Sequence, residues 1–416
     1  MEIIGVEAKL NKLPLISPFG FKGSFSNAIS LSCLEIKTKT LRAKGESIQG
    51  VLWSDGNLYG EIGEEKINDL MFQITKNVAN SLIGKKLEKP EDMFFDLFKE
   101  AEKQAMNLLG YLPRKTFLLN SLVALDNALR ILYAKSISKK NYETFASLEG
   151  IDIRRQNKLA FVPLVSYNTK KEEIEKLADE GVFVFKIKIG VDPDLDNDKA
   201  KMLEGDKKRL KEVHDILKIY TSPYTDSGRL AYYLDANGRY DSLERVKDLL
   251  DYAKKIDAFS NILLLEEPFD EFYDEDVSSL GVTVVADESL HDKEDALKKI
   301  KLGYKAFALK PIAKTISATN EIMELGLIHN IDMFCADLTV SPMLVEINKS
   351  YAACLPSIKG LKCGLLESNG AQNYSNWQVL MEEHPLKTSS FVSIKDGVYE
   401  LDDEFFMQSA GIFKYY

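Results

Sequence analysis

Cysteine is scarce in this 416-residue chain, and the four present, Cys33, Cys335, Cys354 and Cys363, form neither a CxxC pair nor a zinc-finger spacing. That excludes a disulfide framework and a structural zinc, and it leaves buried thiols in a reducing compartment as the expectation. Long apolar runs are lacking as well. No stretch reads as the ~20 residues that a membrane helix needs. The opening MEIIGVEAKLNKLPLISPFGF carries Glu2 and Glu7 and no apolar core of roughly 7 to 15 residues, so it does not read as a signal peptide. The expected location is the cytoplasm. Basic charge is in deficit: 54 Lys and Arg face 64 Asp and Glu, a net charge of -10. Phosphate backbones and anionic lipid would repel such a chain, so neither nucleic acid nor membrane is an expected partner. What is present is globular in composition, with 45% hydrophobic and 28% charged residues, which excludes disorder and fibrous repeats.

From residue 1 to about 60 apolar and polar residues alternate, at 29–33 and again at 50–62, which predicts a small antiparallel sheet. Apolar residues at three- and four-residue steps then predict helices over 69–82, 90–109 and 115–133. Residues 1 to about 135 therefore read as α+β. Beyond them, eight β-rich runs alternate with helical stretches: FVPLVSY (161–167), VFVFKIKIG (182–190), LAYYLDANG (230–238), NILLLEEP (261–268), VTVVADES (282–289), KAFALKP (305–311), IDMFCAD (331–337) and LKCGLLES (361–368). Eight such units close into a (β/α) barrel. An open doubly wound sheet is the competing architecture, and no GxGxxG or P-loop follows the early strands to favour it. A last β-like run, SFVSIKDGVYEL, is expected to fold back on the N-terminal sheet.

Catalytic groups in a barrel sit where strands end. Lys186 and Lys188 close the second run, Asp235 the third, Glu266 the fourth, Asp287 the fifth and Lys310 the sixth. Each has a bland alternative: a solvated strand face for KIK, a turn for DANG, a helix N-cap for DES. Their order argues for a site. The gaps from Asp235 to Glu266, to Asp287 and to Lys310 each suit one βα unit. The longer gap after Lys188 is ascribed to the polar insert DPDLDNDKAKMLEGDKKR. Lys186 and Lys188, two apart, point to the same side of their strand. Three converging carboxylates repel one another unless a cation joins them, and an all-oxygen set suits Mg²⁺ rather than zinc or copper. One magnesium ion on Asp235, Glu266 and Asp287 is expected, with Lys186 placing a like charge beside Lys188. Asn237 reads equally as a turn residue or as an orienter of a ligand oxygen. The four histidines, His214, His291, His329 and His384, close no strand.

In this ensemble, with ALDNAL (124–129), KIK, LDANG, LEEP, ADES and LKP in order over nearly the whole chain, the sequence resembles the enolase superfamily and, within it, the muconate lactonizing enzyme subgroup. The resemblance implies an α/β fold, a modified TIM (β/α) barrel, with an N-terminal α+β capping domain at 1–135, the catalytic barrel at 136–370 and a C-terminal segment at 371–416 returning to the cap. It implies that Lys188 and Lys310 are an acid/base pair on opposite faces of a small-molecule carboxylate, removing the proton alpha to it. Racemisation or epimerisation of an amino-acid derivative and cycloisomerisation are the leading reactions. An o-succinylbenzoate synthase-like or acid-sugar dehydratase reaction and a non-catalytic binding barrel remain alternatives. Dipeptide epimerases of the subgroup carry an Asp-x-Asp in the last strand for the substrate amino group; here Glu367, Ser368 and Asn369 stand there. Asp337 reads as a partner for a cationic group or as an N-cap. SPFGFKGSF (17–25), with Phe19, Phe21 and Lys22, matches the family's lid loop, although the phenylalanines suit a core equally. Barrels of this type commonly self-associate, so a homo-oligomer is expected.

Overall fold

The computed structural model describes residues 1–21, 24–145, 155–192 and 194–416. Strands β1 (Ile3–Phe21), β2 (Ser24–Thr38) and β3 (Arg42–Gln49) form an antiparallel sheet in that order. Along β2 the alternation is visible in burial: Leu34, Ile36 and Thr38 are buried, whereas Cys33, Glu35 and Lys37 are half-exposed, as a one-sided strand requires. The strand expected at 50–62 is helical instead, as α1 (Val51–Ser54) and α2 (Gly56–Ile62). Val51, Leu52 and Trp53 are buried consecutively rather than alternately. Asp55 divides the two helices by accepting from the backbone of Leu58 at 3.0 Å and of Arg114 at 2.9 Å, an N-cap that starts α2.

Three longer helices follow: α3 (Glu64–Asn80), α4 (Pro90–Leu109) and α5 (Lys115–Ser136). Proline at the first position of α4 and left-handed Gly110 after its end are the residues those sites favour. Contrary to the sequence reading, α5 is long and apolar enough to cross a membrane, yet 94% of its most apolar window is buried inside the protein. An all-round apolar helix belongs in such a core. Its polar residues act as ties. Asn120 donates to Ile48 O of the cap and to Ala313 O of the barrel at 3.1 and 3.2 Å, and accepts from Gly50 N at 2.9 Å. Close approach at this joint depends on Gly45, because a Cβ there would lie 2.2 Å from Ala124 O and 2.5 Å from Ala128 N.

The remaining strands close on themselves. β4 (Lys158–Val162) and β5 (Leu164–Val165), parted only by Pro163, make one stave. Then come β6 (Val184–Lys188), β7 (Ala231–Asp235), β8 (Ile262–Glu266), β9 (Val284–Ala286), β10 (Ala306–Leu309), β11 (Asp332–Cys335) and β12 (Gly364–Glu367). Neighbours pair in parallel from β5 round to β12, and β12 pairs with β4. The ring is therefore an eight-stave parallel barrel, and each of the eight runs picked from the sequence supplies one stave. The final β-like run does not join the N-terminal sheet. It forms a hairpin, β13 (Ile394–Lys395) and β14 (Val398–Glu400), and β14 pairs antiparallel with β4. Because β4 meets β12 on its other edge, the hairpin fills the seam left where Pro163 breaks the stave. The last residue does reach the cap, where Tyr416 O accepts from Lys44 N at 3.1 Å. The excess spacing after Lys188 is shared between the stretches on either side of helix α7 (Lys199–Leu217), which is itself an ordinary crossover helix.

Candidate active site

Register places the central residues. Lys188 pairs with Asp235 across β6 and β7, and Asp235 with Glu266 across β7 and β8, so the three side chains occupy one layer at the strand ends. Asp287 directly follows β9, and Lys310 directly follows β10. In the closed ring β6 and β10 stand four staves apart, so Lys188 and Lys310 enter from opposite sides. Both line a pocket between barrel and cap. Ile48, Val51, Leu52 and Trp53 roof it from the cap, and Asp235, Asp287, Glu288, Asp337, Glu367 and Asn369 line it from the barrel.

The lysines and acids interlock. Lys186 is buried and lies 3.1 Å from Asp235 Oδ2, 2.9 Å from Glu266 Oε1 and 3.0 Å from Glu367 Oε2, with the Tyr233 ring centroid at 4.7 Å. Lys188 donates to Asp235 Oδ2 at 2.5 Å and to Asn237 Oδ1 at 2.6 Å. Lys310 donates to Asp287 Oδ2 at 2.5 Å. Burial works against the charged form of Lys186, but Asp235, Glu266 and Glu367 outweigh it and raise its pKa well above the ordinary lysine value. Its positive charge is thus met by three acids. Burial likewise opposes ionisation of Asp235, yet Lys186 and Lys188 hold it well below the usual carboxylate range. For Glu266 the balance goes the other way: burial, opposed by Lys186 and aided by Asp287, lifts it to about 7.

As they stand, no three His, Cys, Asp or Glu side chains among the described residues are grouped to hold a metal ion. The reason is electrostatic, since each acid of the expected set leans toward an ammonium group instead. Their chemistry nonetheless fits a hard cation. Glu266 Oε2 and Asp287 Oδ1 are buried oxygens with no hydrogen-bond partner, and an acceptor without a donor in a closed site is costly unless a cation or donor meets it.

Several residues of this site escape a reading by strand ends. Glu288 accepts from Asn237 Nδ2 at 3.0 Å and from Trp53 Nε1 at 3.1 Å, and the Trp53 ring lies 4.5 Å from Lys310 Nζ. Trp53 thereby touches both lysine networks from the cap. Lys314 donates to the carbonyls of Asp287 and Leu290. Glu267, in a left-handed backbone conformation at φ 37, accepts from Asp287 N at 2.7 Å. Burial and the charge of Glu288 raise it to about 8. The signals were the residue next to a chosen acid, for Glu267 and Glu288, and a lysine one turn after Lys310. Asn237 adopts the left-handed turn conformation, φ 45, and its Oδ1 accepts from Lys188.

Glu367 is committed within the protein, to Lys186 and to the donors Asp337 N at 3.2 Å and Asn369 Nδ2 at 2.8 Å. Asp337 is not an N-cap; the helix that follows, Pro342–Ala352, has Ser341 at its N-cap position and no side-chain capping bond. Asp337 Oδ2 accepts from Asn369 N at 2.6 Å. Burial and then Glu367 push its carboxyl up to about 6. Lys22 and the side chains of Phe19 and Phe21 lie outside the described residues. The histidines stand away from the pocket: His214 pairs with Tyr232, His291 with Thr116 and Asp295, His384 is buried and His329 is exposed.

No family model matches the chain, and no curated protein matches it. Solved structures do, and they define its class: the chain has the fold of the mandelate racemase/muconate lactonizing proteins. One such protein from Roseiflexus sp. superposes with a TM-score of 0.64 at 15% identity, covering 96% of this chain and 95% of that one. A dipeptide epimerase from Cytophaga hutchinsonii, complexed with Mg and the dipeptide D-Ala-L-Val, gives 0.64 at 15% identity over 90% and 89% of the two chains. Muconate lactonizing enzyme from Pseudomonas fluorescens, complexed with muconolactone, gives 0.61 at 18% identity over 88% and 87%.

Proposed function

We propose that this protein is a divalent-metal-dependent isomerase that moves the proton alpha to a carboxylate, with Lys188 and Lys310 as its acid and base. The observation that carries the reading is that these two lysines reach one pocket from staves on opposite sides of the ring, each beside a different acid of the same set. A tetrahedral α-carbon between two such groups loses its proton to one of them, and the planar carbanion that results takes a proton from the other on the opposite face, which inverts it. The likeness in fold to racemases, epimerases and cycloisomerases supports that reaction class.

Asp235, Glu266 and Asp287 would hold Mg²⁺. Bound there, the ion supplies positive charge at the substrate carboxylate as the proton leaves. Lys188 is held toward the substrate by Asn237, which is in turn fixed by Glu288. Lys310 is placed by Asp287 and by the face of Trp53. The cap residues Ile48, Val51, Leu52 and Trp53 exclude water above the reacting carbon.

The test is solvent exchange. Incubation with Mg²⁺ in D₂O against pooled dipeptides, N-acyl amino acids and acid sugars is expected to add one mass unit to a responsive carboxylate without other change. Lys188→Ala and Lys310→Ala should each abolish inversion of the α-carbon. Loss of water with a new double bond would make the protein a lyase instead, and full exchange in both variants would overturn the acid/base assignment.

A further inference from the structure

Of the three acids that would hold Mg²⁺, the strand ladder places two. Asp235 and Glu266 are the last residues of β7 and β8 and pair with each other. The carbonyl of Asp235 accepts from Ile189 N at 2.9 Å, and that of Glu266 from Ala236 N at 3.1 Å. Asp287 lies one residue beyond β9, a strand of three residues whose pairing with β10 ends at Ala286. Its peptide groups are past the ladder, and buried peptide groups need partners all the same.

Two buried side chains supply them. Glu267 Oε2 accepts from Asp287 N at 2.7 Å. Lys314 Nζ donates to Asp287 O at 2.5 Å and to Leu290 O at 2.9 Å, across a turn in which Leu290 N also donates to Asp287 O. Glu267 and Lys314 are 1% and 2% exposed, and neither lines the pocket, so they reach Asp287 from inside the protein. Each is itself fixed. Glu267 N donates to Val285 O at 2.9 Å and Glu267 O accepts from Gly238 N at 2.7 Å. These bonds tie it to β9 and to the turn after β7 at its left-handed φ of 37, a conformation that a non-glycine residue keeps only where its surroundings impose it. Lys314 ends the short helix Pro311–Lys314, and its N–H donates to Lys310 O at 2.8 Å. One helical turn therefore carries both the lysine on Asp287 Oδ2 and the lysine on Asp287 O. Asp287 Oδ1 keeps no hydrogen bond, with Lys314 Nζ 3.7 Å away.

We propose that Glu267 and Lys314 are positioning residues for Asp287: they grip the peptide groups on either side of its Cα and do for the third acid what the strand ladder does for the other two. When Lys310 changes partners during a proton transfer, its tie to Oδ2 is released, and the two peptide ties keep the carboxylate in place. That Asp287 serves a metal ion rests on the function proposed above; the grip itself does not.

The experiment is calorimetric titration with Mg²⁺ of wild type, Glu267→Met, Glu267→Gln and Lys314→Met, each first shown to unfold cooperatively in urea. Methionine fills the space of either side chain and makes neither bond, whereas glutamine keeps an acceptor for Asp287 N. Glu267→Met and Lys314→Met are each expected to weaken Mg²⁺ binding about 10–100-fold, and Glu267→Gln to stay within about threefold of wild type. The sign at Lys314 separates grip from charge. Removing a cation beside Asp287 tightens Mg²⁺ binding if charge alone counts and loosens it if the grip counts. Tighter binding in Lys314→Met, or an equal fall in Glu267→Gln and Glu267→Met, overturns the proposal. If the methionine variants do not fold, Glu267→Gln decides alone: affinity within about threefold of wild type upholds the grip, and affinity lower by about tenfold or more overturns it. If wild type binds no Mg²⁺, the metal reading fails by itself, and amide hydrogen exchange over residues 284–290, read by mass spectrometry, decides the grip. Exchange at least about 10-fold faster in Glu267→Met than in wild type and Glu267→Gln upholds it, and equal rates in all three overturn it.

Discussion

The two halves of the pocket treat charge differently. On the β6–β10 side each lysine already rests on a carboxylate, although Glu266 Oε2, Asp287 Oδ1 and Glu288 Oε2 keep no hydrogen-bond partner there. On the β11–β12 side the acceptors of Asp337 and Asn369 face the pocket unpaired. Under the proposed function the first half is the one that serves chemistry, since its groups need only exchange partners when a ligand arrives. Burying a charge without a partner is expensive.

Breaking the first half should have the largest consequences. Lys188→Ala and Lys310→Ala are each expected to slow α-proton exchange by about 10²–10⁴-fold, read by mass spectrometry in D₂O. Lys186→Met should do the reverse of a catalytic lesion. It leaves Asp235, Glu266 and Glu367 without their common cation and is expected to destabilise the fold by about 3–5 kcal/mol, measured by urea denaturation. A stability close to wild type would mean that the acids are balanced by something other than Lys186.

The second half has a signature in pH. Asp337 is raised in the folded chain from 3.8 to about 6, so between those values the folded state holds a proton that the unfolded state has released. Stability from this group is then complete below about pH 4, falls as pH rises to about 6 and is level above. The size of the effect is at most about 3 kcal/mol. Asp337→Asn should remove that contribution, and a difference profile between wild type and variant without a fall across the same window would contradict the reading. The smallest effect is expected at the joint between the halves and the cap. Trp53→Phe keeps a ring beside Lys310 and removes only the donor to Glu288, at a cost of about 1–2 kcal/mol in transition-state stabilisation, read as kcat/KM.

Much of the fold was legible because a barrel writes itself periodically. Each stave is a short apolar run, and the group that ends it must face the mouth, so Lys186, Lys188, Asp235, Glu266, Asp287 and Lys310 were readable as one ring of strand ends. Lateral partnership was not. Nothing local tells that Lys186 is shared by Glu367, 181 residues on, or that Trp53 meets Glu288 across 235 residues. The helices α1 and α2 were misread because Gly50, Asp55 and Gly60 break the text into pieces that mimic alternation. The closing hairpin was misassigned because its edge partner is chosen by the gap at Pro163, which only the closed ring creates. Asp337 was seen as an acid at a strand end, but its free oxygen depends on Asn369 and Glu367 taking up the neighbouring bonds.

That gap has a further consequence for how the molecule comes into being. Synthesis proceeds from the cap, through all eight staves, and only afterwards delivers the segment that lies along β4. Until residue 400 is made, the first stave presents an open edge, with backbone donors and acceptors exposed to any passing strand. The ring itself closes through the β12–β4 and β5–β6 pairings, and the late hairpin covers the edge of β4 that those pairings leave free.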